Sequence, residues 1–317
     1  MAMSVSGSAG AAQLDPGRRR PATSAAGADG ASIPVRPCPV CGADGAVPHH
    51  GRGSTLRRCR CGLVFVDPEP DAEEIAAREY EAFQGGLRHE TAEMFTLYYR
   101  NYPDDPVVRG FRSTVRRLHD LTGGGRLLDV GIGTGLFLHL AEQAGFEPLG
   151  VEISPSAAER AREEFGVDAW VGDFEAFSTD RPFDALAMAD VLEHSGEPRR
   201  FLEHAAGLLR PGGALFVAVP NRRSTLFWAA DALARIPGLA PVADRIYVPN
   251  HYTYFTPATL ARLVREVGFE VVDVRCESPY LGRYRFSLPV KLGLVALIAL
   301  GRMTGLEARV EVLAVRR

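Results

Sequence analysis

From Val107 onward, short apolar runs alternate with amphipathic stretches along the chain. RLLDV, FEPLGVEI, DAWVGD, FDALAMAD and GALFVAVPN read as strands, whereas LFLHLAEQAG, SAAERAREEFG and RRFLEHAAGLLR repeat their apolar positions at helical spacing. Apolar strands separated by helices build a parallel sheet covered on both faces, so the fold class is α/β, doubly wound. Two further strands, FEVVDVRC and ARVEVLAV, are joined through a proline- and leucine-rich stretch in place of a crossover helix. There is no repeat at solenoid periods.

The alternation is absent before that point. Residues 1–36 are rich in alanine, glycine and serine, and no Phe, Trp or Tyr precedes Phe65. Such a segment has little to bury against its ordering entropy and reads as a disordered tail. Residues 37–70 form a small cysteine-bearing module, and the acidic, aromatic DAEEIAAREYEAF marks a helical connector over 71–106. The domain expected over 107–317 carries two insertions, near 222–249 and 280–305. The first presents Leu226, Phe227, Trp228 and Leu233 on a helical stretch; the second holds the apolar run Leu292–Leu300. Nine residues of helix cover about 14 Å, well short of the ~30 Å hydrocarbon core of a bilayer. Packing or lid formation is the favoured role for this run, ahead of peripheral membrane contact.

Composition narrows the partners. The chain has 317 residues with 36 basic against 39 acidic, a net charge of −3, and Lys291 is its single lysine. A weakly acidic total offers no generic attraction to phosphate backbones or anionic lipid, although a local patch still can, so no nucleic-acid partner is expected. The first residues lack a charged leader and an apolar core of the kind that directs export, which makes a cytoplasmic, reducing location the expectation. Four of the five cysteines, Cys38, Cys41, Cys59 and Cys61, fall close together, a pattern that reads as metal binding before disulfides. Cys276 stands in a strand pattern and reads as core.

RLLDVGIGTGLFLHL supplies a buried strand, a glycine turn and a helix. Gly131, Gly133 and Gly135 let the backbone turn tightly and approach a ligand at the helix N-terminus. A dinucleotide fingerprint wants a third glycine at the sixth position, where Leu136 stands, and Asp129 before the loop suits a ligand bearing an ammonium better than one bearing a pyrophosphate. Glu152 ends the next strand, where a carboxylate can accept from both hydroxyls of a ribose. At the end of the third strand, Asp173 can accept from an adenine amino group while Phe174 packs on the base, although a turn aspartate beside a core phenylalanine has the same appearance.

The series LLDVGIGTG, GVEIS, VGDF, FDALAMADVLEH and LLRPGGALFVAVPN closely resembles class I S-adenosylmethionine-dependent methyltransferases, and ADVLEH with NHYTYFTPATLARLVREVGFEVV resembles the branch containing ubiquinone-biosynthesis-type enzymes. The resemblance implies a Rossmann-like seven-stranded sheet whose last strand is antiparallel. It places Asp129, Gly131, Gly133 and Gly135 around the methionine and ribose of S-adenosylmethionine, Glu152 at the ribose hydroxyls, and Asp173 with Phe174 at the adenine. Asp190 is expected to touch cofactor or acceptor.

Methyl transfer from a sulfonium is an in-line displacement that needs a base only when the acceptor must lose a proton. His194, just past the fourth strand at the sheet's carboxyl edge, is the leading base, and His251 in VPNHYTYFT is the second. Asp190, Glu193 and His194 fall at i, i+3 and i+4, a spacing that would also suit Mg²⁺ holding a catechol-like acceptor. CPVCG with RRCRCG resembles the zinc ribbon that precedes some methyltransferases, with C-x-C replacing the usual second C-x-x-C; it implies a structural Zn²⁺ on Cys38, Cys41, Cys59 and Cys61. The leading reading is methylation of a small-molecule acceptor, at oxygen, on a sugar, polyketide-like or quinone-like metabolite. RNA base methylation and a non-catalytic scaffold are the alternatives. The acidic total argues against RNA and the intact glycine loop against a scaffold.

Overall fold

The computed structural model describes residues 35–50, 55–68, 105–244, 246–278 and 287–317. All of them belong to one unit, Val35–Arg317. The tail expected over 1–36 and the connector expected over 71–106 fall almost entirely outside the described residues.

Three short strands come first: β1 (Val47–His49), β2 (Leu56–Arg58) and β3 (Val64–Val66). Helix α1 (Pro106–Thr122) starts where the Asp105 carboxylate accepts the Val107 amide at 2.7 Å, and it stops at Gly123 in the left-handed conformation. The alternation legible in the sequence then follows as β4 (Gly125–Val130), α2 (Leu136–Gln143), β5 (Phe146–Glu152), α3 (Pro155–Phe165), β6 (Ala169–Val171), β7 (Phe183–Ala189), α4 (Pro198–Leu208) and β8 (Leu209–Pro220). The first insertion holds α5 (Thr225–Leu233) and α6 (Ala240–Asp244). Beyond it come β9 (Thr253–Tyr254), α7 (Pro257–Glu266), β10 (Phe269–Glu277), α8 (Leu288–Thr304) and β11 (Arg309–Arg316).

Seven strands form the main sheet in the order β10-β11-β8-β7-β4-β5-β6. β4 pairs in parallel with both β5 and β7, so the chain winds outward in both directions from β4, and the carboxyl ends of these strands frame the crevice where ligands of such sheets collect. β11 runs antiparallel to both β8 and β10, as the resemblance implies. Side chains alternate across the sheet. Leu128, Val130, Leu186 and Met188 pack on one face with Phe201, Leu202, Leu260 and Leu263, while Leu127, Ala185 and Ala187 meet Val115, Leu118 and Leu138 on the other.

The cysteine-bearing strands join a second, antiparallel sheet in the order β1-β2-β3-β9. Its last strand comes from beyond the first insertion, with Val64 opposite Tyr254 and Phe65 opposite Thr253. Cys38, Val40, Cys59 and Phe65 share one core with Phe255, Leu260 and Leu263, and Leu56, Val64 and Val66 pack under Phe227, Tyr247 and Tyr254. The cysteine segment is thus the floor on which the first insertion rests. A two-residue strand such as β9 is too short to show a period, so this pairing had no sequence signal.

Helix α8 leans on α5 along a narrow seam. Thr225 Oγ1 donates to the Leu297 carbonyl at 2.8 Å, and a Cβ on Gly301 would stand 2.9 Å from the Leu306 carbonyl oxygen, so only glycine permits the approach. Gly301 is the single residue of α8 that is fully buried. Among the described residues no helix is long and apolar enough to cross a membrane.

Candidate active site

The glycine loop sits where β4 hands over to α2. Gly131, Gly133 and Gly135 have φ of 73°, 53° and 79°, the left-handed region that disfavours any side chain. A Cβ on Gly131 would lie 2.6 Å from Val191 Cγ2 and one on Gly135 2.7 Å from the Ala161 Cβ, whereas one on Gly133 would meet open space. The loop is therefore wedged between the turn after β7 and α3, with its middle glycine facing outward.

Glu152, at the end of β5, closes this loop from below. Its two carboxylate oxygens accept the Ser154 amide at 2.9 Å and the Gly133 amide at 3.3 Å, which fixes the carboxylate against the glycine turn. Asp129, two residues before Gly131, is buried, and burial together with the like charge of Glu152 raises its pKa well above the ordinary value. A ligand carrying an ammonium and a sulfonium would relieve that penalty. The residues present fit S-adenosylmethionine on these grounds.

At the end of β6, Asp173 is exposed and accepts the Glu175 amide at 3.0 Å, capping a short 3-10 turn. Phe174 turns inward, its ring 4.6 Å from that of Phe201 and edge-on to His204 at 4.8 Å. The structure thus gathers Asp129, the three glycines and Glu152 in one place, sets Asp173 at the rim and keeps the Phe174 ring in the core.

The segment after β7 forms the other wall. Asp190 is held at φ 57° with its amide donating to the Ala218 carbonyl at 2.8 Å, and its carboxylate lies 3.4 Å from Arg309 Nη1. Leu192–His194 make a 3-10 turn. The Tyr252 amide donates to the Glu193 carbonyl at 2.7 Å, drawing the end of the first insertion onto this turn. His194 and His251 meet edge to face, with ring centroids 4.7 Å apart. One ligand atom from each of Glu193, His194 and His251 lies within 4.8 Å of the others. Glu193 is 1 % exposed, neither carboxylate oxygen has a hydrogen-bond partner among the described residues, and burial pushes its pKa up to about 8. The sequence singled out both histidines but gave no reason for them to meet.

The four cysteines converge as well. Sγ of Cys38 and Cys61 are 3.8 Å apart, those of Cys41 and Cys59 are 3.5 Å apart, and all four lie within 4.8 Å of one another. Gly42 and Gly62, both at positive φ, follow the second and fourth cysteines and let each knuckle fold back. The Gly42 amide donates to the Cys38 carbonyl at 2.8 Å and the Gly62 amide to the Cys59 carbonyl at 3.0 Å. Four thiols gathered with no other ligand among the described residues fit a structural tetrahedral Zn²⁺.

A further polar cluster escaped sequence reasoning. Asp231 on α5 accepts from Tyr247 Oη at 2.6 Å and from Arg222 Nη2 at 2.6 Å, and it lies 2.9 Å from His50 Nε2. His49 Nε2 accepts from the same Arg222 nitrogen at 3.0 Å. The only visible trace was the pair His49–His50, whose polar partners lie far off in the chain.

A family model described as a methyltransferase domain matches residues 105–274. This chain belongs to the class I S-adenosylmethionine-dependent methyltransferases. Relatives of this methyltransferase include the ubiquinone biosynthesis O-methyltransferase of Xanthomonas euvesicatoria pv. vesicatoria, 31% identical over 184 residues, which are 55% of this chain and 75% of that protein. The Xylella fastidiosa (strain 9a5c) protein of the same name is 31% identical over 159 residues, 48% of this chain and 63% of that one. Among solved structures, a chain of the complex between the Haloferax volcanii Trm112 methyltransferase activator and a methyltransferase matches at TM-score 0.50 and 16% identity, covering 77% of this chain and 97% of that one. That likeness shows the fold alone. The magnesium protoporphyrin IX methyltransferase of Synechocystis, solved with S-adenosylhomocysteine, matches at TM-score 0.49 and 18% identity, over 76% of this chain and 98% of that one.

Proposed function

We propose that this methyltransferase acts on a hydroxyl oxygen of a small, largely apolar acceptor, a phenol or quinol of polyketide-like or quinone-like type being favoured over a sugar. The observation that carries the reading is the meeting of His194 and His251 at the carboxyl edge of β7. A hydroxyl becomes a good nucleophile as its proton departs, and an imidazole is the side chain suited to receive that proton near neutral pH. S-adenosylmethionine, when bound, supplies an electrophilic methyl group on a sulfonium and leaves as the neutral sulfide. His194 takes the hydroxyl proton while the acceptor oxygen forms its bond to carbon. Glu193 is buried beside the imidazole pair, its carboxyl raised to about 8 by burial, and the Asp129–Glu152 side orients the donor. Helix α5 follows the carboxyl end of β8 and α8 precedes the start of β11, and the apolar composition of both suits a greasy acceptor better than a free sugar. The relatives named as O-methyltransferases agree with an oxygen acceptor.

The test is transfer of labelled methyl from S-adenosylmethionine to a panel of catechols, quinols, polyketide phenols and sugars, with the methylated atom read by mass spectrometry. Transfer confined to nitrogen or carbon acceptors would overturn the oxygen assignment.

A second reading draws on the buried Glu193. Glu193, His194 and His251 bring their ligand atoms within 4.8 Å of one another, a set able to hold a divalent cation that acidifies the acceptor hydroxyl by its charge. Activity lost on chelation and restored by Mg²⁺, with zinc content unchanged, favours this version; activity indifferent to chelator favours the imidazole base.

A further inference from the structure

Outside its seam with α5, α8 carries a row of exposed apolar side chains. Leu288 is 69 % exposed, Leu292 61 % and Met303 84 %, with Val295 and Leu300 also open, and Trp228 on α5 beside it is 65 % exposed. The row runs the length of a 17-residue helix, about 25 Å. From Ser287 to Leu306 the chain carries no carboxylate; its only charges are the exposed Lys291 and Arg302, one toward each end of the helix. Water is a poor neighbour for such a face, and a second copy is an awkward one, because antiparallel pairing would set Lys291 against the other copy's Arg302.

We propose that α8, with Trp228, is a docking surface for an anionic phospholipid bilayer. The helix lies along the headgroup boundary with its apolar row among the acyl chains and its two cations among phosphates. It is too short to cross, and it does not need to. The sequence favoured packing for this segment; the exposure of its apolar row is what moves the reading to a lipid surface. The placement also has a geometric consequence. α8 leads directly into Arg309, which lies 3.4 Å from Asp190 at the rim of the candidate site, so docking holds that rim near the bilayer. The inference stands on exposure and charge, and it goes beyond the acceptor reading by giving an apolar acceptor a route from the lipid phase.

The full chain is sedimented with vesicles of phosphatidylcholine alone and of phosphatidylcholine with about one-third phosphatidylglycerol. The expected result is recovery with the anionic vesicles, weakening as salt is added. The double substitution Leu292→Asp with Val295→Asp should lower the bound fraction about tenfold or more, and Lys291→Glu with Arg302→Glu should abolish the preference for anionic lipid. All four positions are exposed, and calorimetry with S-adenosylhomocysteine reads the fold and the donor site of each variant independently. Equal recovery with and without anionic vesicles, in protein that still binds S-adenosylhomocysteine, overturns the docking and leaves the methyltransferase site standing. A concentration-dependent dimer dissolved by the Leu292→Asp and Val295→Asp pair also overturns it, in favour of a second copy. Vesicle binding by protein that fails to bind S-adenosylhomocysteine upholds the docking and removes the acceptor reading.

Discussion

The amide of Tyr252 donates to the carbonyl oxygen of Glu193 at 2.7 Å, and this one backbone bond ties the far end of the first insertion to the turn after β7. Its neighbours on either side, His251 and His194, are left edge to face. The site is therefore assembled by main-chain register, with the side chains following.

Replacing His194 by alanine should leave S-adenosylhomocysteine affinity intact, because the donor side is built from β4 and β5, and lower turnover roughly a hundred- to ten-thousand-fold. His251→Ala should lower it less. Calorimetry paired with a methyl-transfer assay separates the two quantities, and turnover unchanged in His194→Ala would remove the imidazole from the mechanism.

Glu193 should make stability fall with rising pH. Its carboxyl is raised from 4.5 to about 8 by burial, so the folded state binds its proton more tightly than the unfolded state. That contribution is complete below the unfolded value of 4.5 and is lost as pH climbs through about 8. Denaturant unfolding across this range should show the decline in the parent and a flatter profile in Glu193→Gln.

Asp231 behaves in the opposite sense. Burial pushes its pKa up, but close polar contacts with His49, Tyr247 and Arg222, together with the Arg222 charge, more than offset this and hold it well below the usual carboxylate range. Its contribution is present above the unfolded pKa and is lost as pH falls toward the folded one. Asp231→Asn, which leaves the buried Arg222 without its counter-charge, should cost about 3 kcal/mol in urea unfolding.

Gly131→Ala joins two penalties, a left-handed φ of 73° and a Cβ 2.6 Å from Val191 Cγ2. A loss of about 1–3 kcal/mol is expected, with S-adenosylhomocysteine binding weakened at least as strongly as stability. Wild-type affinity in this variant would show that the loop is not where the donor sits.

Metal analysis of the purified protein should find about one equivalent of zinc, lost in Cys38→Ser. The Cys38 thiol is lowered to about 5, chiefly by its contact with Cys61, whose own pKa is pushed up. Since Cys38 and Cys59 share a core with Phe255 and Leu260, loss of the metal should lower the melting temperature of the whole unit.

The main sheet was legible because each of its buried strands is an apolar run bounded by a helix pattern, and the glycine loop because positive φ leaves few residue choices. Asp129 and Glu152 were legible for the same local reason, each standing a fixed distance from that loop. Phe174 was ambiguous in the sequence because a base-stacking ring and a core ring look alike until Phe201 is placed against it. The meeting of His194 with His251, the cluster around Asp231 and the pairing of β3 with β9 all depend on contacts between distant segments. No local period encodes these, and a carboxylate such as Glu193 carries no mark in its own neighbourhood that it will be buried.

The pairing of Val64 with Tyr254 also constrains how the protein is made. Strand β3 leaves the ribosome with one edge unsatisfied, and that edge stays open until Thr253–Tyr254 has been synthesised. The cysteine segment thus emerges well before the strand that completes its sheet. Cutting the chain at the end of the cysteine run would yield a sheet missing a strand, so a fragment ending there is a poor choice for studying the metal in isolation.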